Sequence, residues 1–188
     1  MLKHLEEFGK YIAIAGFRDA KIMDVEKLLD AVKSKVGLTV EFQLFDAGLV
    51  ATWRHLHFAA LNALTAFKNQ YNISKSLAVE TLLYASAQRQ IRKAMELIGI
   101  KKGVSKIAVL VIGEDVENVD FALSRIAELL DAKRDDSVLM LSEEKIRALR
   151  KAFEISDTEL AAVQSKDNME NALVDVIIER MALLSTRR

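Results

Sequence analysis

Chemistry in this chain would have to start from three histidines, a set of paired carboxylates and no cysteine. His55 and His57 sit two residues apart in a run, Leu49 to Lys68, that reads as helix. At 3.6 residues per turn their side chains diverge by about 200°. The pair cannot chelate one ion, because helical metal sites space their ligands by three or four residues, and the third histidine is the distant His4. His55 is therefore read as a packing or hydrogen-bonding residue. Gly99 and Gly103 stand alone, without the glycine spacing of a Walker loop or a dinucleotide fingerprint. Glu6-Glu7, Asp135-Asp136 and Glu143-Glu144 fall at expected helix ends or turns, where a solvated cap accounts for them. No Gly-x-Ser-x-Gly elbow occurs. The reading is a protein with no catalytic residues, no metal site and no cofactor or small-molecule substrate.

The elements that would position a binding surface instead follow from periodicity. Lys10 to Phe17 reads as a strand, Asp24 caps an amphipathic helix that Gly37 ends, and Thr39 to Phe45 alternates with Val40, Phe42 and Leu44 on one face. The alanine- and leucine-rich helix to Lys68 comes next, then helices Ser76 to Ala85 and Gln88 to Ile98, a hairpin over 76–98. Lys106 to Ile112 is apolar on both faces, as a central strand is, and Asp115 opens another helix. Ser142-Glu143-Glu144 starts a helical carboxyl-terminal part over 142–185, Ser156-Asp157-Thr158-Glu159 is a capping box, and Asn168 to Ser185 is the last helix. The expected fold is α/β, mixed α+β: one compact domain over 1–188 with a small central mixed sheet of three to four strands and six to eight helices. No proline, repeat or low-complexity linker interrupts it.

With 188 residues and 51% hydrophobic content the chain can bury a core. Without cysteine, and with Met1 to Lys10 lacking the apolar stretch of a signal peptide, a cytoplasmic protein is expected. Ile107 to Ile112 is too short to cross a bilayer, so no membrane role is read. Formal net charge is zero, but Arg54 to Lys106 holds nine basic and two acidic residues, against seven and eight before it and eleven and seventeen after it. A basic zone lies inside a neutral protein.

That zone is also where the sequence becomes recognisable: Phe45-Asp46-Ala47, His55-Leu56 with Ala59, Ala63 and Phe67, then Glu80-x-Leu82-Leu83-Tyr84, Arg89-Gln90-Ile91, Ala94, Gly99-Ile100 and Val109 to Ile112. The order and spacing resemble the kinase-binding regulatory subunit of the KEOPS complex, along the whole chain. Ala85-Ser86-Ala87-Gln88 departs from it, since a glycine is expected among these small residues. The resemblance implies a non-catalytic adaptor that docks on the kinase-like ATPase subunit of KEOPS and binds the tRNA 3′ CCA end, for threonylcarbamoylation of the adenosine beside the anticodon. The alternative is a protein–protein interaction module without RNA binding.

Binding RNA takes cations for phosphates and flat or amide groups for unpaired bases. Lys68 and Lys75 flank the loop carrying Tyr71 and Asn72. Arg89 and Arg92, three apart, are expected on one helix face with Lys93 nearby, and Tyr84, Arg89 and Gln90 are the candidate base contacts. Each cation taken singly is also explained as a solvated face. In the last helix Met169, Leu173, Val174, Val176, Ile177, Ile178, Met181, Leu183 and Leu184 exceed the stripe one core requires. The surplus sinks into a deeper core or meets a partner. With the resemblance, Leu173, Ile177, Ile178 and Met181 are assigned to the kinase interface.

Overall fold

The computed structural model describes residues 1–37, 39–163 and 169–186. Along the chain run β1 (Leu2–Leu5), β2 (Lys10–Arg18), α1 (Val25–Val36), β3 (Val40–Asp46), α2 (Trp53–Lys68), α3 (Leu77–Ser86), α4 (Ile91–Ile98), β4 (Ile107–Gly113), α5 (Val116–Leu130), β5 (Lys133–Arg134), α6 (Glu143–Ala152), α7 (Asp157–Val163) and α8 (Met169–Ala182). Short 3-10 turns follow β1, β3, β5 and α8. By its internal contacts the chain divides into two compact units, 1–47 with 100–139, and 48–99 with 140–188.

The first unit holds the sheet, in the order β1-β2-β4-β3 with the short β5 also pairing β2, five strands where about three to four were expected. β4 reads Ile-Ala-Val-Leu-Val-Ile-Gly and is buried on both faces along its length, which is why it takes the middle. The α/β class holds, but the sheet expected to mix strand directions is antiparallel at every pairing. The reason lies in the crossover. β2 and β3, joined through α1, run the same way, but β4 is inserted antiparallel between them, in register Ile14↔Leu110 and Gln43↔Leu110. One core packs Ala13, Ala15, Phe17, Leu44, Val109 and Val111 of the sheet with Val32 and Val36 of α1 and Val119, Ile126 and Leu130 of α5. Asp24 and Asp115 cap the two helices, accepting from the Lys27 and Asn118 amides at 3.1 and 2.7 Å. The Asp135-Asp136 pair does more than solvate a turn. The Asp135 amide donates to the Gly16 carbonyl and the Gly16 amide donates to Asp136 Oδ1, both at 2.8 Å. A Cβ on Gly16 would lie 2.6 Å from the Asp135 carbonyl oxygen, so only glycine fits beneath this strap.

The second unit is helical. α2 begins at Trp53 rather than Leu49, because Ala47–Leu49 forms a 3-10 turn and Thr52 takes the extended conformation of an N-cap. Ser76 caps α3 and Ser142 caps α6. The expected capping box forms, with the Ser156 amide donating to Glu159 and the Glu159 amide donating to Ser156 Oγ. The core joins Ala51, Leu149, Phe153, Ile155 and Leu160 with Ala172, Leu173, Val174, Val176 and Ile177 of α8. Asn168, the expected start of that last helix, lies outside the described residues.

Candidate nucleic-acid interface

In the second unit the turn between α3 and α4 sets the geometry. Ala87 sits in the left-handed region at φ 51, its amide donating to the Tyr84 carbonyl, where the sequence pattern had called for glycine. Gln90 is extended and serves as the N-cap of α4, without a side-chain capping bond. Helix therefore begins at Ile91, three residues later than expected. Arg89 belongs to the turn and Arg92 to the first helical turn, so the two do not share a helix face as spacing alone suggested. The cause is the αL residue, which ends α3 and redirects the chain.

The redirected turn brings Arg89 beside Tyr84. Both line a cleft of about 480 Å³ with Tyr71, Ile73 and Ser185. Arg89 Nη1 donates to the Leu184 carbonyl at 3.3 Å, which ties the guanidinium to the turn after α8. Tyr84 is buried. Burial, with Tyr71 and Glu80 adding to it, raises its phenol far above the ordinary range against the opposing pull of Arg89, so the group stays neutral. Tyr71 is half-exposed. Its loop is held from beneath by Glu80, fully buried, whose Oε2 accepts from the Ile73 and Ser74 amides at 3.0 and 2.7 Å.

Of the other residues assigned to RNA, Lys68, Lys75, Gln90, Arg92 and Lys93 are exposed and do not line the cleft. Lys68 ends α2 and Lys75 precedes α3. Arg92 pairs with Glu96 at 3.7 Å on an open helix face, a contact worth little in water. Arg92 and Lys93 occupy the first turn of α4 with no acidic residue, the reverse of what the helix dipole favours. Ile73 and Ser185 escaped the sequence reading. Ser185 is 96 positions from Arg89, and no local pattern connects them.

The partner assignment on α8 needs correcting in its premise. Leu173, Ile177 and Met181 are fully buried and only Ile178 is part-exposed. α8 packs against α2, α3, α6 and α7, so neighbours on several sides absorb the apolar surplus, which is core rather than free surface. His55 fulfils its structural reading. Its Nδ1 accepts from the Ala51 amide at 3.1 Å, which leaves the proton on Nε2 to donate to the Ala85 carbonyl at 2.7 Å, and the ring meets Phe153 edge-on. Among the described residues no cluster of three or more His, Cys, Asp or Glu could hold a metal ion, and no helix is long and apolar enough to cross a membrane.

Residues 20–185 match the family described as kinase binding protein CGI-121. The chain is 33% identical over 151 residues to the regulatory protein Cgi121 of Methanocaldococcus jannaschii, covering 80% of this chain and 88% of that one. With nearly its whole length matched, the chain belongs to the CGI-121 family.

Proposed function

We propose that this protein is the non-catalytic, kinase-binding regulatory subunit of the KEOPS complex, and that it holds the 3′ CCA end of tRNA. The family description and the regulatory name of the archaeal relative support the kinase-binding half. The cleft walled by Tyr71, Tyr84 and Ile73 and closed by Arg89 carries the RNA half. Unpaired bases are recognised by stacking on aromatic rings or guanidinium planes and by hydrogen bonds to their edges, and this cleft offers all three groups. The neutral Tyr84 phenol donates or accepts without repelling a phosphate nearby. Arg92 and Lys93, at the uncapped start of α4, present cations and free amides to the backbone of the same strand.

The test is binding of full-length tRNA against tRNA trimmed of its CCA end. The intact tRNA should bind at least about fivefold more tightly, since one base stack is worth about 1–3 kcal/mol. Arg89→Ala and Tyr71→Ala should each erase that difference while the kinase-like partner is still retained. Equal binding of both tRNAs by the wild-type protein would overturn the CCA reading and leave a kinase-binding module without RNA.

A further inference from the structure

Several basic side chains of the first unit are matched by carboxylates. Lys10 pairs with Glu114, Lys21 with Asp131, Lys27 with Asp24, Arg125 with Glu128 and Arg134 with Asp136, and Arg18 lies within 4 Å of both Asp19 and Asp135. The loop 100–106 gathers three lysines that are not so matched, close together in the chain. Lys101, Lys102 and Lys106 are exposed, and among the described residues none has an ion-pair partner. Their loop is nevertheless well held: the Ala20 amide donates to the Ser105 carbonyl, the Gly103 amide to the Ile22 carbonyl and the Ala47 amide to the Lys106 carbonyl, at 3.0, 3.1 and 3.0 Å.

Strand register gathers a fourth lysine. Phe17 pairs with Ile107, so one step further Lys106 comes level with Arg18, and Arg18 is paired with Lys133, also exposed and without an acidic partner. Lys106, Arg18 and Lys133 thus cross one end of the sheet in a row, with Lys106 and Lys133 two strand spacings, roughly 10 Å, apart. Asp19, Asp131 and Asp135 beside them are already engaged by Arg18 and Lys21. The loop's apolar residues, Ile100 and Val104, pack into the core, so lysines, Ser105 and the Gly103 backbone are what face water.

We infer that this lysine loop, Lys101, Lys102 and Lys106 with Lys133, is a second RNA-binding surface that takes the phosphodiester backbone without reading bases. The inference rests on the tRNA reading above. Lysines are point charges on flexible stems, suited to phosphate but not to planar recognition, and no aromatic ring stands among them for a base to stack on. An acidic protein partner fits less well, since protein hot spots want a desolvated aromatic or aliphatic anchor, which the loop does not expose.

The test compares Lys101→Ala/Lys106→Ala with a charge-matched control on α1, Lys33→Ala/Lys35→Ala, all four being exposed positions. The loop variant should bind full-length and CCA-trimmed tRNA more weakly by the same factor, about tenfold at moderate salt. Its log–log salt slope should fall by about 1 to 2, as each duplex phosphate contact contributes about 0.9. The control should stay within about twofold of wild type. If the loop variant matches wild type while the CCA dependence persists, this inference falls and the CCA site stands. If the loss is confined to full-length tRNA, the lysines belong to the CCA site and no second surface exists. Loss of the kinase-like partner with tRNA binding unchanged would assign the loop to a protein. No tRNA binding by the wild-type chain would remove both readings.

Discussion

His55 places a titrating ring where a proton is unwelcome. Burial, with Lys145 adding to it, pulls its pKa down to about 4 against the opposing bond to Ala85, whereas the unfolded chain titrates near 6.5. Below 6.5 the unfolded state binds a proton that the folded state refuses. The stability from the neutral ring is therefore whole above about pH 6.5 and is lost as pH falls toward 4. Between pH 7 and pH 5 the loss amounts to about 2 kcal/mol. Urea unfolding at the two pH values should show this drop, and His55→Gln, less stable at the start, should show much less of it. Ala87 offers the opposite case, a residue improvable in place. Its φ of 51 costs an alanine about 1 kcal/mol that a glycine escapes, so Ala87→Gly should raise stability by up to that amount. A lower Tm for Ala87→Gly would mean that the unfolded chain's gain in freedom outweighs the relieved strain.

At the scale of elements, α8 decides between two readings of one apolar pattern. With Ile177 fully buried among Leu149, Phe153 and Leu160, Ile177→Glu removes a core side chain and buries a carboxylate without a partner. The expected cost is at least about 3 kcal/mol, and circular dichroism with urea titration should show a largely unfolded or severely weakened protein. A variant that folds normally and loses only its kinase partner would return α8 to the surface. The sequence showed that α8 was too apolar for one face; it did not show how many helices surround it, which is a long-range property. Elements with strong local signals were legible, among them α1 with Asp24 and Gly37, α5 with Asp115, the Ser156 capping box and the doubly apolar β4. β1 was not, because only Leu5 of its four residues is buried and its place depends on pairing with β2. The candidate cleft was half legible: Tyr84 and Arg89 stand in one short motif, but Arg89's path follows from Ala87 and Ser185 arrives from the far end of the chain.

For the whole molecule, a net charge of zero and a pI near 6.9 describe an average that neither unit has. The sheet unit holds 16 acidic and 13 basic residues and the helical unit 14 basic and 11 acidic, so the opposite excesses cancel. A polyanion responds to the local field within about 10 Å at moderate ionic strength, not to the total. What would meet the RNA is a local cluster of lysines and arginines, not the average over the chain. Binding should therefore persist at pH 8, where the protein as a whole is slightly negative, and should be governed by counterion release. With three or more phosphates neutralised, each contributing about 0.7 to 0.9 to the slope, raising salt from 50 to 200 mM should weaken tRNA binding by roughly 20-fold or more. Binding that vanishes between pH 6.5 and pH 8 would show that the total charge governs association, and binding that ignores salt would show that contacts between these cations and phosphates have no part in it.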